Sequence, residues 1–242
     1  MFDLAIDGPI ARLRLSRPEA RNAIPLSGWT EMASEVARAV DNDAQVLILS
    51  GVPDGVFCAG ADISDFDSFL ADPDARTRFR QAIRQGLDGL RDLPIPTIAF
   101  IEGACYGAGV AVAMACDIRI VAPQAQFAIT PAKLGISYPQ EDVHRLVSLV
   151  GEGQAARLLF TAASIDAEEA HRIGLVELLA DSPDELASAF AANAPNSLRT
   201  LKRSLRLAAK GAASDEAQDQ AFENLLGSEA LAERLARYRS RK

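Results

Sequence analysis

Three short apolar runs constrain this chain more than any other feature: QVLILS at 45–50, IPTIAFIEG at 95–103 and DIRIVA at 117–122. Each is too short for a helix and too continuously apolar for a strand with one wet face. They read as strands covered on both sides. The stretches between them have helical periodicity. PLSGWTEMASEVARAVDND sets Trp29, Met32, Val36 and Val40 on one stripe, and a later helix does the same with Phe79, Ile83, Leu87 and Leu90. Strand and helix alternate to about Ala122, which predicts an α/β protein with a largely parallel sheet and covered faces. FDLAID and IARLRL, separated by Gly8-Pro9, read as a hairpin at the start. Gly51 and Pro53 end the first buried strand, and GVPDGVFCAGADISDF after it reads as irregular. From about Glu141 the chain is mainly helical. Leu201, Leu205 and Ala208 share one face, and Phe222, Leu225, Leu226, Leu231 and Leu235 follow in the last segment. The expected division is a core over 1–190 and a helical C-terminal oligomerisation region over 191–242.

Composition narrows the function. The 242 residues are 49% hydrophobic and 24% charged, ample for a sizeable core, with a net charge of −8. That charge argues against a nucleic-acid partner, which requires a basic face. Three cysteines, Cys58, Cys105 and Cys116, have no paired spacing and point to a reducing compartment. The acidic start MFDLAIDGPI is not a secretory signal, and GAGVAVAMAC is well short of the ~18 residues of a membrane span. A cytoplasmic protein with no membrane partner is expected.

The glycine-rich stretch EGACYGAGVAVAMACD follows a strand and opens a helix. A dinucleotide fingerprint would need a third glycine where Val112 stands, and an acid after DIRIVA where Ala122 and Pro123 stand. No P-loop pattern occurs. The two histidines, His144 and His171, lack metal-ligand spacing, so no metal site is expected; His144 reads as a surface residue and His171 as a helix-end residue. No histidine is placed to activate a cysteine nucleophile. FCAGADI (57–63) and GACYGAG (103–109) remain: small-residue loops, each after a buried strand. They serve either tight strand–helix packing or the convergence of two backbone N–H groups on one oxyanion.

LSRPEARNAI, FCAGADI, GACYGAGVAVAMACDIRIVA, AQFAITPAKLGI and IDAEEAHRIGLV, in this order from about residue 10 to about residue 180, resemble the crotonase (enoyl-CoA hydratase/isomerase) superfamily. The resemblance implies a spiral of ββα repeats with a helical C-terminal region, assembled as a homotrimer or a dimer of trimers. It implies an acyl-CoA thioester as substrate, with coenzyme A entering as part of the substrate and no separate cofactor. By motif, the oxyanion donors fall on the N–H groups of Ala61 and Ala108. The nucleotide would lie against Ala20, Arg21, Ala23 and Ala59, with Arg21 toward a phosphate. Gly60, Asp62, Ile63, Tyr106, Gly107 and Pro131 complete the expected substrate contacts.

One departure matters. The hydratases of this group carry two glutamates, and those positions are Ala111 and Pro131 here. Neither can transfer a proton, so the two-glutamate hydration mechanism does not fit. TPAKLGISY resembles the methylmalonyl-CoA decarboxylase branch and puts Tyr138 on that branch's active-site tyrosine, although Ala61 stands where the branch has histidine. Glu141 and Asp142 are the nearest carboxylates downstream, either as acid/base groups or as first-turn acids of the next helix; Glu141 is the expected catalytic one. Three functions follow: enolate chemistry of the hydratase/isomerase type, decarboxylation of a malonyl-type thioester, or acyl-CoA binding without turnover.

Overall fold

The computed structural model describes residues 1–51 and 55–240. Pro53, read as a strand terminator, and Arg241 and Lys242 at the end of the chain lie outside the described residues. The chain opens with the antiparallel hairpin β1 (Phe2–Asp7) and β2 (Ile10–Leu15), which turns at Gly8-Pro9 with Asp7 opposite Ile10. Helix α1 (Leu26–Asp41) buries Trp29, Met32, Val36 and Ala39, while Val40 sits at the edge of the stripe.

Three repeats of two strands and a helix follow. The first is β3 (Val46–Ser50), β4 (Val56–Cys58), then α2 (Phe66–Ala71) and α3 (Pro73–Arg91). The second is β5 (Thr97–Ile101), β6 (Ala104–Tyr106) and α4 (Ala108–Ala115). The third is β7 (Ile118–Val121), β8 (Gln126–Ala128) and α5 (Gln140–Thr161). The first strand of each repeat joins one sheet and the second joins another. After β9 (Ile165–Asp166), α6 (Ala167–Arg172) and β10 (Leu178–Leu179), the sheets read β1-β2-β3-β5-β7-β10 and β4-β6-β8-β9. From β2 to β10 the large sheet is parallel throughout. This is the expected ββα spiral. The segments read as irregular after β3 and as a turn after β5 in fact contain β4 and β6. Three-residue strands carry no periodicity for sequence reading to detect.

Helices cover both faces of the large sheet. One face packs on α1 and α3. Against the other, Ala187, Leu186 and Phe190 of α7 (Asp184–Ala191) pack on Val46, Ile48, Ile98, Phe100 and Ile120. The chain ends in α8 (Pro195–Ala209), α9 (Glu216–Leu226) and α10 (Glu229–Arg239). An ionic joint docks α8 on the body. The buried Lys202 donates to Ile95 O at 2.7 Å and pairs with Asp117 at 2.8 Å; Arg206 pairs with Asp117 at 2.6 Å. Asp117 also accepts from the Thr97 N–H and hydroxyl, tying β5, β7 and α8 at one point. Leu201 and Leu205 of α8, read as sharing one helix face, are exposed in the single chain, as are Phe222 and Leu226 of α9.

Candidate active site

The small-residue loops leave β4 and β6, neighbours in the small sheet, so they emerge side by side. The loop after β4 is fixed by the segment before α1. Ile24 N donates to Gly60 O at 2.8 Å and Asp62 N to Ile24 O at 2.9 Å, forming a parallel bridge centred on Ala61. In such a bridge the flanking residues do the bonding, and the Ala61 N–H faces away, with no partner among the described residues. The loop after β6 ends at Gly107, whose φ of 52° and ψ of −119° suit only glycine. Ala108 is the first residue of α4, so its N–H has no acceptor within the helix. A Cβ built on Gly60 would lie 3.4 Å from Ala108 N, so the loops touch where these two N–H groups are free. A second glycine keeps the helix this close: a Cβ on Gly109 would lie 2.6 Å from Cys58 O.

The Gly107–Ala108 peptide is clamped from behind. Tyr138 is buried, and its hydroxyl donates to Gly107 O at 3.1 Å; Val110 N also donates there at 3.1 Å. In a trans peptide the C=O and the N–H point oppositely, so holding the Gly107 carbonyl aims the Ala108 N–H away from Tyr138. Burial, with the Asp142 charge nearby, pushes the Tyr138 phenol well above its ordinary value, so it stays a proton donor.

A cavity of about 160 Å³ has Ala61, Gly107 and Ala108 in its wall. The rest of the wall is mostly apolar, from Ile63, Phe66, Phe79, Ile83, Leu134 and Ile136. Ala59, Gly60, Ala111, Pro131 and Tyr138 line it too, and among the lining residues Asp142 is the one carboxylate. The Asp142 side chain is 1% exposed, and Arg84 Nη2 donates to both its oxygens at 2.9 and 2.7 Å. Arg145 stands 3.5 Å away and pairs with the half-exposed Asp88 at 2.7 Å, so a charge network running from the buried Asp142 out to the surface links α3 and α5. Burial raises the Asp142 carboxyl above the ordinary aspartate value, against the downward pull of Arg84 and Arg145. Ala111, one of the two missing-glutamate positions, shares this wall with Tyr138 and Asp142.

Several expected contacts lie elsewhere. Glu141 is exposed in the first turn of α5 and does not line the cavity; its neighbour Asp142 does. Successive helical residues diverge by about 100°, so only one of an adjacent pair can face a given wall. Asp62 also lies outside the lining. It caps the turn after the loop through Ser64 N and meets Arg17 Nη1 at 2.5 Å, which lowers its pKa to about 2. Tyr106 directs its hydroxyl to Gln126 Oε1 at 3.1 Å, again outside the wall. Ala20, Arg21 and Ala23 form a separate strip along the mouth of the first loop: Ala59 N donates to Arg21 O at 3.0 Å, and the Arg21 side chain is exposed. Arg17 fastens the strip by donating to Ala23 O at 3.0 Å. Asn22 is buried in it and donates to Val56 O at 3.0 Å. Sequence reading missed Arg17, Asn22 and Arg84. The one local signal for Arg84, the pair with Asp88, gives no hint of Asp142, which lies 58 residues away.

None of the described residues lining the cavity is a cysteine. All three thiols are buried, and burial pushes Cys58 and Cys116 up to about 12. What remains is a pair of unpaired N–H groups, a strip along the mouth, and an apolar cavity with one carboxylate. Such a pair can receive a carbonyl oxygen that gains charge during reaction.

The family model for enoyl-CoA hydratase/isomerase matches residues 5–240. The chain is 35% identical over 207 residues to a short-chain-enoyl-CoA hydratase of Clostridium acetobutylicum, covering 82% of this chain and 78% of that one. A crystal structure of an enoyl-CoA hydratase/isomerase family protein from Hyphomonas neptunium superposes with a TM-score of 0.94 at 35% identity, covering 100% of this chain and 95% of that one. A Thermobifida fusca protein solved in complex with acetoacetyl-CoA superposes with a TM-score of 0.79 at 30% identity, covering 98% and 95% of the two chains. With the two-sheet ββα spiral and the paired small-residue loops already in place, the chain belongs to the enoyl-CoA hydratase/isomerase family.

Proposed function

We propose that this enzyme isomerises an unsaturated acyl-CoA, moving a proton along the acyl chain through a thioester enolate. The thioester oxygen sits between the N–H groups of Ala61 and Ala108. The adenosine end lies along Ala20, Arg21 and Ala23, where the exposed Arg21 can meet a phosphate. The bound acetoacetyl-CoA in the Thermobifida fusca structure supports a thioester ligand.

The observation that carries the reading is Asp142, the single carboxylate lining the cavity. Hydration needs one group to activate water at Cβ and another to deliver a proton at Cα. Isomerisation needs one group that removes a proton and returns it elsewhere. Asp142 as carboxylate takes the proton from the acyl carbon, negative charge passes to the thioester oxygen, and the protonated acid returns the proton at the other end of the allylic unit. A raised pKa suits this, since it makes the carboxylate a better base. Turnover then falls as pH drops through that raised value, because the base becomes protonated. A buried carboxylate at this wall also disfavours the carboxylate of a malonyl-type substrate, which weighs against decarboxylation.

The test is a panel of acyl-CoAs followed by mass spectrometry and absorbance. Conversion of a β,γ-enoyl-CoA to its α,β isomer is expected. Asp142→Asn should lower it by roughly 10²–10⁴-fold while acyl-CoA binding persists. Undiminished turnover in a folded Asp142→Asn protein would remove Asp142 from the reaction. Propionyl-CoA from methylmalonyl-CoA would point to decarboxylation, and tight binding with no turnover to a non-catalytic acyl-CoA-binding subunit.

The assembly proposed is a homotrimer or a dimer of trimers in the cytoplasm, supported by the exposed Leu201, Leu205, Phe222 and Leu226 on α8 and α9.

A further inference from the structure

The chain is acidic overall, with a net charge of −8, but one pocket reverses that sign. It encloses about 450 Å³ between the end of α3, the Asp92–Pro94 segment that follows it, and α8. Five of its lining residues are cations, Arg91, Arg199, Lys202, Arg203 and Arg206, against the single carboxylate of Asp92. None of them lines the active-site cavity or belongs to the strip at its mouth.

Part of this charge is already matched. Asp117 is shared by Lys202 and Arg206, and Asp215 stands 3.7 Å from Arg203. The rest is not. Among the described residues, the side chains of Arg91 and Arg199 have no hydrogen-bond or ion-pair partner. Arg91 is half-buried. Burial and the charges of Arg145 and Arg206 pull its guanidinium below the ordinary arginine value, an effect that Asp92 and Asp88 only partly offset. An arginine does not relieve such repulsion by giving up its proton, so an anion is what relieves it. Arg206 Nη2 donates to Arg91 O at 3.0 Å and holds the two segments together. Two polar atoms of lining residues are also buried without a partner, Arg206 Nε and Gln218 Oε1. Buried polar atoms are nearly always satisfied, so a donor and an acceptor left open at one pocket point to an occupant.

We propose that this pocket binds an anion with two linked phosphoryl groups, free pyrophosphate or a nucleoside diphosphate, at a site separate from the acyl-CoA site. Arginine forks match phosphoryl oxygens in pairs, and two unmatched guanidiniums call for more than one phosphoryl group. Gln218 Oε1 supplies an acceptor that a ribose hydroxyl can meet and bare pyrophosphate cannot. An anion here bonds α3 and α8 at once, so it fastens the C-terminal helices to the body and stabilises the folded chain by mass action. The proposal does not depend on the acyl-CoA reading, and its test uses no thioester.

Isothermal calorimetry on the full chain at low salt, with inorganic pyrophosphate, ADP, inorganic phosphate and citrate, tests it. One pyrophosphate per chain is expected, about tenfold or more tighter than inorganic phosphate, with affinity falling as salt is added and a thermal midpoint that rises with pyrophosphate. Tighter binding of ADP assigns the site to a nucleotide, and equal binding to pyrophosphate. Arg91→Gln and Arg199→Gln should each weaken pyrophosphate about tenfold. Both should fold, since neither side chain makes a bond in the free protein. Arg80→Gln removes the same charge from an exposed position outside the pocket and should change little. Absence of saturable binding would overturn the proposal, as would equal losses in Arg80→Gln and Arg91→Gln. Citrate binding more tightly than pyrophosphate would overturn the phosphoryl assignment. A loss confined to Arg21→Gln would move the anion to the mouth of the active site and overturn the separate site. A changed mass of Arg91→Gln in sedimentation, without pyrophosphate binding to wild type, would make the pocket a contact between copies instead.

Discussion

The hydroxyl proton of Tyr138 goes to the Gly107 carbonyl, and that contact sets what the residue does. A phenol held well above its ordinary pKa and bonded to backbone is a poor proton shuttle and a good clamp. On the function proposed above, Tyr138 would act as a positioning residue for the Ala108 N–H, through the peptide that separates them. Tyr138→Phe should lower kcat about tenfold, equivalent to about 1.4 kcal/mol, with KM little changed. A variant with wild-type kcat would reduce the tyrosine to packing. The sequence placed Tyr138 near the chemistry but not in this role, because the role depends on a carbonyl 31 residues away. Glu141 and Asp142 show the same limit at closer range. Of these adjacent acids at a helix start the expected one was Glu141, but the orientation of α5 turns Asp142 to the cavity wall and leaves Glu141 exposed.

The elements that were legible in advance are those with a period to read. The hairpin β1–β2 follows from its Gly8-Pro9 turn, α1 from the Trp29–Met32–Val36 stripe, and β3, β5 and β7 from continuous apolar runs. The strands that build the site, β4, β6 and β8, have three residues each and were legible only through family motifs. Element junctions were the least visible. Asp117 at the start of β7 reads as a fold-supporting acid, but its partners Lys202 and Arg206 on α8 follow from no spacing rule. Asp117→Ala leaves Lys202, 7% exposed at its side chain, without its counter-charge, and should cost about 3–5 kcal/mol in denaturant unfolding. A loss below about 1 kcal/mol would mean that the joint does not hold α8 to the body.

For the whole molecule, the spiral gives each sheet a separate task. The large sheet is buried between α1 and α3 on one face and α7 on the other, and supplies the rigid body. The small sheet aims two strand ends at one place, where Gly60 and Ala108 meet. The exposed apolar residues of α8 and α9 do not line that cavity, and the proposed assembly would cover them. Sedimentation should give the mass of three or six chains, and a monomer at micromolar concentration would contradict the assignment. At the site itself, the proposal is that two backbone N–H groups, those of Ala61 and Ala108, hold the thioester oxygen. Difference infrared spectroscopy of an acyl-CoA carrying ¹³C at its thioester carbonyl reads that contact directly. The first position of a helix accepts proline, so Ala108→Pro removes one donor while keeping α4. A carbonyl band shifted to lower frequency is expected on binding wild type, with a clearly smaller shift in Ala108→Pro. An unshifted band in the wild type, or the same shift in a folded Ala108→Pro protein, would contradict it.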